Sequence, residues 1–276
     1  MKKILIPTNF SRNSTVAINY VTELLKEEYC EFYFLNTYSY DVSGLNAIEL
    51  LQADDAIFDE PKEESLRQLG ALVEHCTLDS DNDKHSFYAI SENRELINGI
   101  KTNIEKISID LVIITGSVDT KVSKNTRAIV KKIKSCPILI VPPNASIGQK
   151  VSLTIASDFK QSINTSDISK FIKILEKTNF EISIFVLEKK KKVTVNTAKN
   201  INSLAVYLEQ LLNKQIGIEY IESSYRLEEY AQSHVENIMC ILDKKPDVLR
   251  KMGLYKTSAI ATMGTLRKNT VLAMHQ

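Results

Sequence analysis

Ile155-Ala156-Ser157-Asp158-Phe159 restates Ile6-Pro7-Thr8-Asn9-Phe10 at an offset of 149 residues. Each stretch ends a run of β-branched and apolar residues, Lys3-Ile4-Leu5-Ile6 in the first case and Val151-Ser152-Leu153-Thr154-Ile155 in the second. Two strands that leave through the same kind of polar turn point to a duplicated unit. Working outward from the first copy, strand-like runs fall at 3–9, 30–37, 85–91, 109–115 and 137–142, with helix-length segments near 12–28, 61–77, 94–107 and 124–135. From the second copy, strands fall at 151–157, 180–187, 217–222, 237–242 and 269–275, with helices near 163–177, 195–214, 226–235 and 255–267. Short apolar strands alternating with helices predict βα units around a buried parallel sheet.

The offset is 150 at the second strands, Glu31 against Glu181, and 127 at the fourth, Leu111 against Ile238, so the first half carries about 22 extra residues, placed at 39–60. Pro142-Pro143-Asn144-Ala145-Ser146 stops the fifth strand and reads as a short linker. The expected organisation is therefore two copies of a five-stranded α/β unit, 1–145 and 146–276.

Composition limits the function. Thirty-five Lys and Arg against 34 Asp and Glu leave a net charge of +1, which gives no electrostatic case for a nucleic-acid or membrane-surface binder. Apolar runs are far shorter than the roughly 20 residues that a membrane helix needs, and a cytoplasmic protein is expected. Cys30, Cys76, Cys136 and Cys240 form no C-x-x-C pair and read as reduced structural thiols. The eight glycines are scattered, with no two within six residues of each other, so every compact Gly-rich phosphate loop is absent.

The chain resembles the universal stress protein family in its tandem two-domain form. The resemblance rests on Lys3-Ile4-Leu5-Ile6-Pro7-Thr8-Asn9-Phe10-Ser11, on Asp110-Leu111-Val112-Ile113-Ile114-Thr115-Gly116 and on Cys136-Pro137-Ile138-Leu139-Ile140-Val141-Pro142. It implies fold class α/β, with two tandem Rossmann-like (adenine nucleotide alpha hydrolase-like) domains, each a five-stranded mainly parallel sheet flanked by helices. In nucleotide-binding members an Asp follows the first strand, and a G-x-x-G-x(9)-G-[ST] loop after the fourth cradles phosphates through backbone N–H groups and a helix N-terminus.

This sequence departs from that pattern in both halves. Asn9 stands at the Asp position, Asp119 at the second glycine, and Ile129-Val130 where strict spacing wants Gly-[ST]. A slipped register brings Ser123 or Asn125-Thr126 to the helix start. In the second half Asp158 survives, yet Leu242-Asp243-Lys244-Lys245 replaces the glycine loop. The family-equivalent crevice would comprise Pro7, Thr8, Asn9, Gly116, Ser123, Asn125 and Thr126, with Asp158 its counterpart in the second half. Asp158 reads as a helix cap or turn carboxylate that needs no ligand.

The expected function is a non-catalytic stress-response protein that binds a small ligand or a protein partner and needs no cofactor. The alternative is an ATP- or AMP-binding universal stress protein using magnesium, with slow hydrolysis at one working site in the first half. No nucleophile, base or metal cluster can be named for an enzyme. Asp79-Ser80-Asp81-Asn82-Asp83 imitates a calcium loop, but Lys84 stands where its glycine belongs. Lys189-Lys190-Lys191-Lys192 reads as a solvated loop, and the acidic group from Asp54 to Glu64 suits a helix start. Bare fifth strands would invite aggregation, so 137–141 and 270–274 are expected to pair within the chain, with a homodimer as a further possibility.

Overall fold

The computed structural model describes residues 1–40, 56–116, 122–148, 150–221, 224–243, 266 and 268–275. In the first half, β1 (Lys2–Pro7), α1 (Arg12–Leu24), β2 (Cys30–Tyr38), α2 (Ala56–Asp79), β3 (His85–Asn93), α3 (Leu96–Ile107), β4 (Leu111–Thr115), α4 (Lys124–Lys132) and β5 (Ile138–Val141) follow in order. The second half gives β6 (Val151–Ser157), α5 (Ser166–Ile174), β7 (Phe180–Val186), α6 (Val195–Leu212), β8 (Gly217–Tyr220), α7 (Ser224–Ser233), β9 (Ile238–Asp243) and β10 (Val271–His275).

The ten strands among the described residues form one sheet, in the order β3-β2-β1-β4-β5-β10-β9-β6-β7-β8. The order within one half is the reverse of the order within the other. Every pair is parallel except β5 with β10, which run antiparallel with Leu139 opposite Leu272. The strands of the second half therefore run against those of the first where the halves join.

Alternation along each strand builds two apolar layers. Ile4, Ile6, Phe32, Phe34, Leu153 and Ile155 face one layer with residues of α1, α2, α5 and α6. Leu5, Leu35, Val112, Ile138, Phe185 and Met239 face the other with residues of α3, α4 and α7. Both layers cross the join, so strands buried on both faces appear in the sequence as unbroken apolar runs.

Several sequence boundaries are corrected. The helix expected over 12–28 stops at Leu24, because Glu28 turns inward to a buried contact. That expected over 163–177 is shorter, Ser166–Ile174. The segment 39–60, taken as aperiodic, ends in helix, since α2 begins at Ala56 and carries Pro61 in its second turn. Proline suits a helix start and so suggested a later beginning. Residues 41–55, Asp119, Lys244 and, apart from Leu266, the helix read at 255–267 lie outside the described residues.

The halves also meet away from β5 and β10. Glu28, 1% exposed, accepts from the backbone N–H of Lys177 and from that of Thr178 at 3.1 Å. Lys2 Nζ donates to the carbonyl of Lys173 at 2.6 Å, and Lys177 Nζ lies 4.6 Å from the Tyr29 ring centroid. Buried Tyr20 on α1 bonds the side chain of Thr270, next to β10, and burial pushes its phenol up to about 12.

Candidate functional site

β1 lies between β2 and β4, so the chain order reverses at β1, and a crevice at the carboxyl ends of these strands is where an open α/β sheet takes ligands. Pro7 ends β1, Thr8 follows it buried, and Asn9 is exposed. The turn is locked from inside. Thr8 Oγ1 accepts the Phe10 N–H at 3.0 Å, and Asn36 Nδ2 donates to the Thr8 carbonyl at 2.9 Å. Phe10 takes φ 59°, a left-handed conformation that L residues adopt rarely. Asn9 Oδ1 accepts from the Ser11 N–H at 3.3 Å and from Ser14 Oγ at 2.9 Å, while Ser11 caps α1 through the Ser14 N–H. The side chain at the family's carboxylate position is thus tied to the first turn of its own helix.

At the end of neighbouring β4, the Gly116 N–H donates to the Val141 carbonyl at 2.7 Å. A Cβ at Gly116 would sit 3.3 Å from Pro142 Cα, so the glycine serves the close approach of the β5 exit. Ser123 caps α4, its Oγ accepting the Thr126 N–H at 3.1 Å and lying 2.8 Å from Thr126 Oγ1, which in turn donates to the Thr115 carbonyl at 3.4 Å. Asn125 is exposed in the first turn. Ile129 and Val130, where strict spacing calls for Gly-[ST], are buried mid-helix in the core. The helix begins well before the family's phosphate loop would have ended.

β1 pairs with β4 through Ile4–Leu111 and Leu5–Val112, so the strand that leads to Pro7, Thr8 and Asn9 runs parallel to the one that leads to Gly116, and Thr126 is tied to the end of β4 by its bond to the Thr115 carbonyl. Asp158 is not among them: β4, β5, β10 and β9 separate β6 from β1. Its Oδ1 accepts the Lys160 N–H at 3.2 Å, while α5 is preceded by Thr165, so Asp158 is a turn carboxylate and not a helix cap. Asn36 was missed by sequence reading; its position at the end of β2, beside the β1 exit, was the available signal.

Among the described residues, two clefts open in the helical layer. One, of about 670 Å³, runs between α1 and the linker, past Tyr20, Glu23, Glu27, Ile147 and Thr178. The other, about 250 Å³, lies between α1 and α2 and is edged by His75, Cys76, Asp79 and His85. No group of three or more His, Cys, Asp or Glu able to hold a metal occurs among the described residues. All four cysteines are free, and burial pushes the thiols of Cys30 and Cys136 up to about 12 and that of Cys76 up to about 11. They are protonated and poorly nucleophilic near neutral pH. No helix among the described residues is long and apolar enough to cross a membrane.

The sequence matches no protein-family model and no curated protein. Solved structures do match across the whole chain. A universal stress protein from Archaeoglobus fulgidus DSM 4304 superimposes with a TM-score of 0.70 at 14% identity, covering 99% of this chain and 98% of that one. The fold is that of universal stress proteins. A Pseudomonas aeruginosa UCBPP-PA14 protein, provisionally named as a universal stress protein, matches with a TM-score of 0.62 at 10% identity, over 100% of this chain and 93% of its own. The cytoplasmic domain of a prokaryotic cation chloride cotransporter gives 0.53 at 12% identity, over 99% and 94%. The universal stress protein fold thus occurs in proteins of quite different setting, and function has to be argued from the site.

Proposed function

We propose that this universal-stress-protein-like chain is a non-catalytic stress-response protein, binding a small ligand or a protein partner, in which neither half grips a nucleotide triphosphate. One observation carries the reading: Ile129 and Val130 are buried in α4, so the residues at the phosphate-loop positions are spent on the core. Two others support it. Asn9 already accepts two hydrogen bonds from the start of α1, and the sequence puts an acidic Asp119 along the phosphate path, where like charge repels.

Calorimetric titration with ATP and magnesium tests the proposal. The expected result is no binding tighter than about 1 mM, equivalent to about 4 kcal/mol. Asp119→Gly alone is expected to leave that result unchanged, because Ile129 and Val130 still occupy the positions of the glycine-hydroxyl pair. Micromolar affinity, or protein that co-purifies with adenine nucleotide, overturns it.

A further inference from the structure

The two edges of the ten-stranded sheet are finished differently. β8 spans four residues, Gly217–Tyr220, and places exposed Glu219 in its middle. Short length and charge are ordinary ways to blunt an edge. β3 has nine residues, all paired with β2. From His85 to Ser91 it holds no Asp, Glu, Lys, Arg or Pro.

The Cys30 N–H donates to the Lys84 carbonyl at 2.9 Å, which turns the backbone groups of even-numbered β3 residues toward β2. Those of Phe87, Ala89 and Ser91, with the His85 carbonyl, consequently face away from β2, where no further strand pairs among the described residues, since successive residues of a strand direct their N–H and C=O groups alternately. At the centre, Tyr88 is 43% exposed, Ala89 is exposed, and Tyr88 stacks on Tyr33 with centroids 5.0 Å apart.

We infer that β3 is a self-pairing edge, through which two copies of this chain join antiparallel about a two-fold axis at Tyr88. The strand is complementary to itself in this register. Phe87 falls opposite the partner's Ala89, so that pair can exchange both of its hydrogen bonds, and His85 falls opposite the partner's Ser91, where its carbonyl can accept while its own N–H is held by the Asn82 carbonyl at 3.2 Å. Bulky Phe87 meets a small side chain on one face. On the other, Tyr88 meets the partner's Tyr88 in a non-hydrogen-bonded pair, the closest kind, and the Tyr33–Tyr88 stack continues across the axis as a row of four rings. Lys84, paired with Glu27 at 3.0 Å, comes level with the partner's Glu92, paired with Arg94 at 3.1 Å, so no like charges meet at the ends of the ladder. The inference is independent of the proposed function.

Sedimentation equilibrium of the full chain reads the assembly, with far-ultraviolet circular dichroism as the check on folding. The wild-type chain is expected at twice the mass of one copy. Ala89→Pro removes a donor that faces the open edge and none that serves β2, so it should give a folded monomer. Tyr88→Lys provides the same reading if the proline variant does not fold. Under mild oxidation Tyr88→Cys is expected to give a covalent dimer on a non-reducing gel, whereas Ser86→Cys, displaced from the axis, is not. A wild-type monomer at about 100 µM overturns the inference. So does a dimer that survives Ala89→Pro, or one that Tyr88→Cys fails to cross-link.

Discussion

The turns that follow β1 and β6 share one backbone design and put it to different use. In both, a hydroxyl accepts the N–H two residues on, Thr8 from Phe10 and Ser157 from Phe159. Both aromatic residues have positive φ, 59° and 51°, and in both a side-chain oxygen one position further accepts the next N–H but one, Asn9 from Ser11 and Asp158 from Lys160. They then diverge. After Asn9 the helix starts almost at once and Ser14 binds the amide oxygen. After Asp158 the chain runs on to Thr165, Phe159 is fully buried, and Asn200 Nδ2 donates to its carbonyl at 2.9 Å. A strained turn that persists with an amide in one copy and a carboxylate in the other is a device of the fold, and its presence alone does not report a ligand.

The largest effect that can break this comparison belongs to the aromatic residues. Phe159→Ala should cost about 4 kcal/mol by emptying a closed site, while Phe10→Ala, at a half-buried position with the same φ, should cost about half as much. Urea midpoints of the two variants check it. Equal losses would mean that the copies are packed alike.

Next comes the coupling of the halves through Tyr20. Its phenol is raised from 10.0 to about 12 by burial, against a smaller lowering by the bond to Thr270. The stabilisation is thus fully present below pH 10 and is lost as pH rises toward about 12, because the unfolded chain releases its proton first. Two units bound the loss at about 3 kcal/mol. Tyr20→Phe should flatten the decline of the denaturation midpoint over that window relative to wild type; the raised cysteine thiols titrate in both proteins, so the difference isolates Tyr20.

The smallest effect sharpens the comparison most. Asp158→Ala should cost about 1 kcal/mol, and Asn9→Ala about the same or slightly more, because the exposed turn bond is lost in both and Ser14 loses an acceptor in one. Thermal denaturation with and without ATP reads both variants. Loss of stability without nucleotide identifies turn residues; an unchanged melting point coupled to a lost nucleotide response would identify ligand contacts.

The sheet was legible because its strands are buried on both faces. Leu111 to Thr115 and Val151 to Ser157 leave no other reading, and the match between residues 6–10 and 155–159 announced the duplication. Ends of helices were less legible. Glu28 looks like one more charged residue in the last turn of α1, and only the second half, distant in sequence, supplies the N–H groups that draw it inside. The crevice was half legible: Asn9 and Ile129 depart from the family's pattern in the sequence itself, but that Asn9 is held by Ser14 depends on where α1 starts, which the sequence leaves open between two serines. Asn36 carries no motif, and its role arises from the parallel register of β1 with β2.

The seam at Glu28 carries a consequence for how the halves recognise each other. With the offset of 150 that relates the second strands, Glu28 corresponds to Thr178 and Glu27 to Lys177. The contact therefore brings together corresponding loops of the two halves, and Lys177 helps to hold the Glu27 carboxyl below its ordinary range, after the larger influence of Lys84. Were two first halves to associate in the same way, glutamates would face glutamates; two second halves would oppose lysines. Only the unlike combination sets each of these charges against its opposite. Difference between the halves at this one pair of loops thus replaces the like charges of a symmetric contact with opposite ones, which is how charge favours one pairing over another.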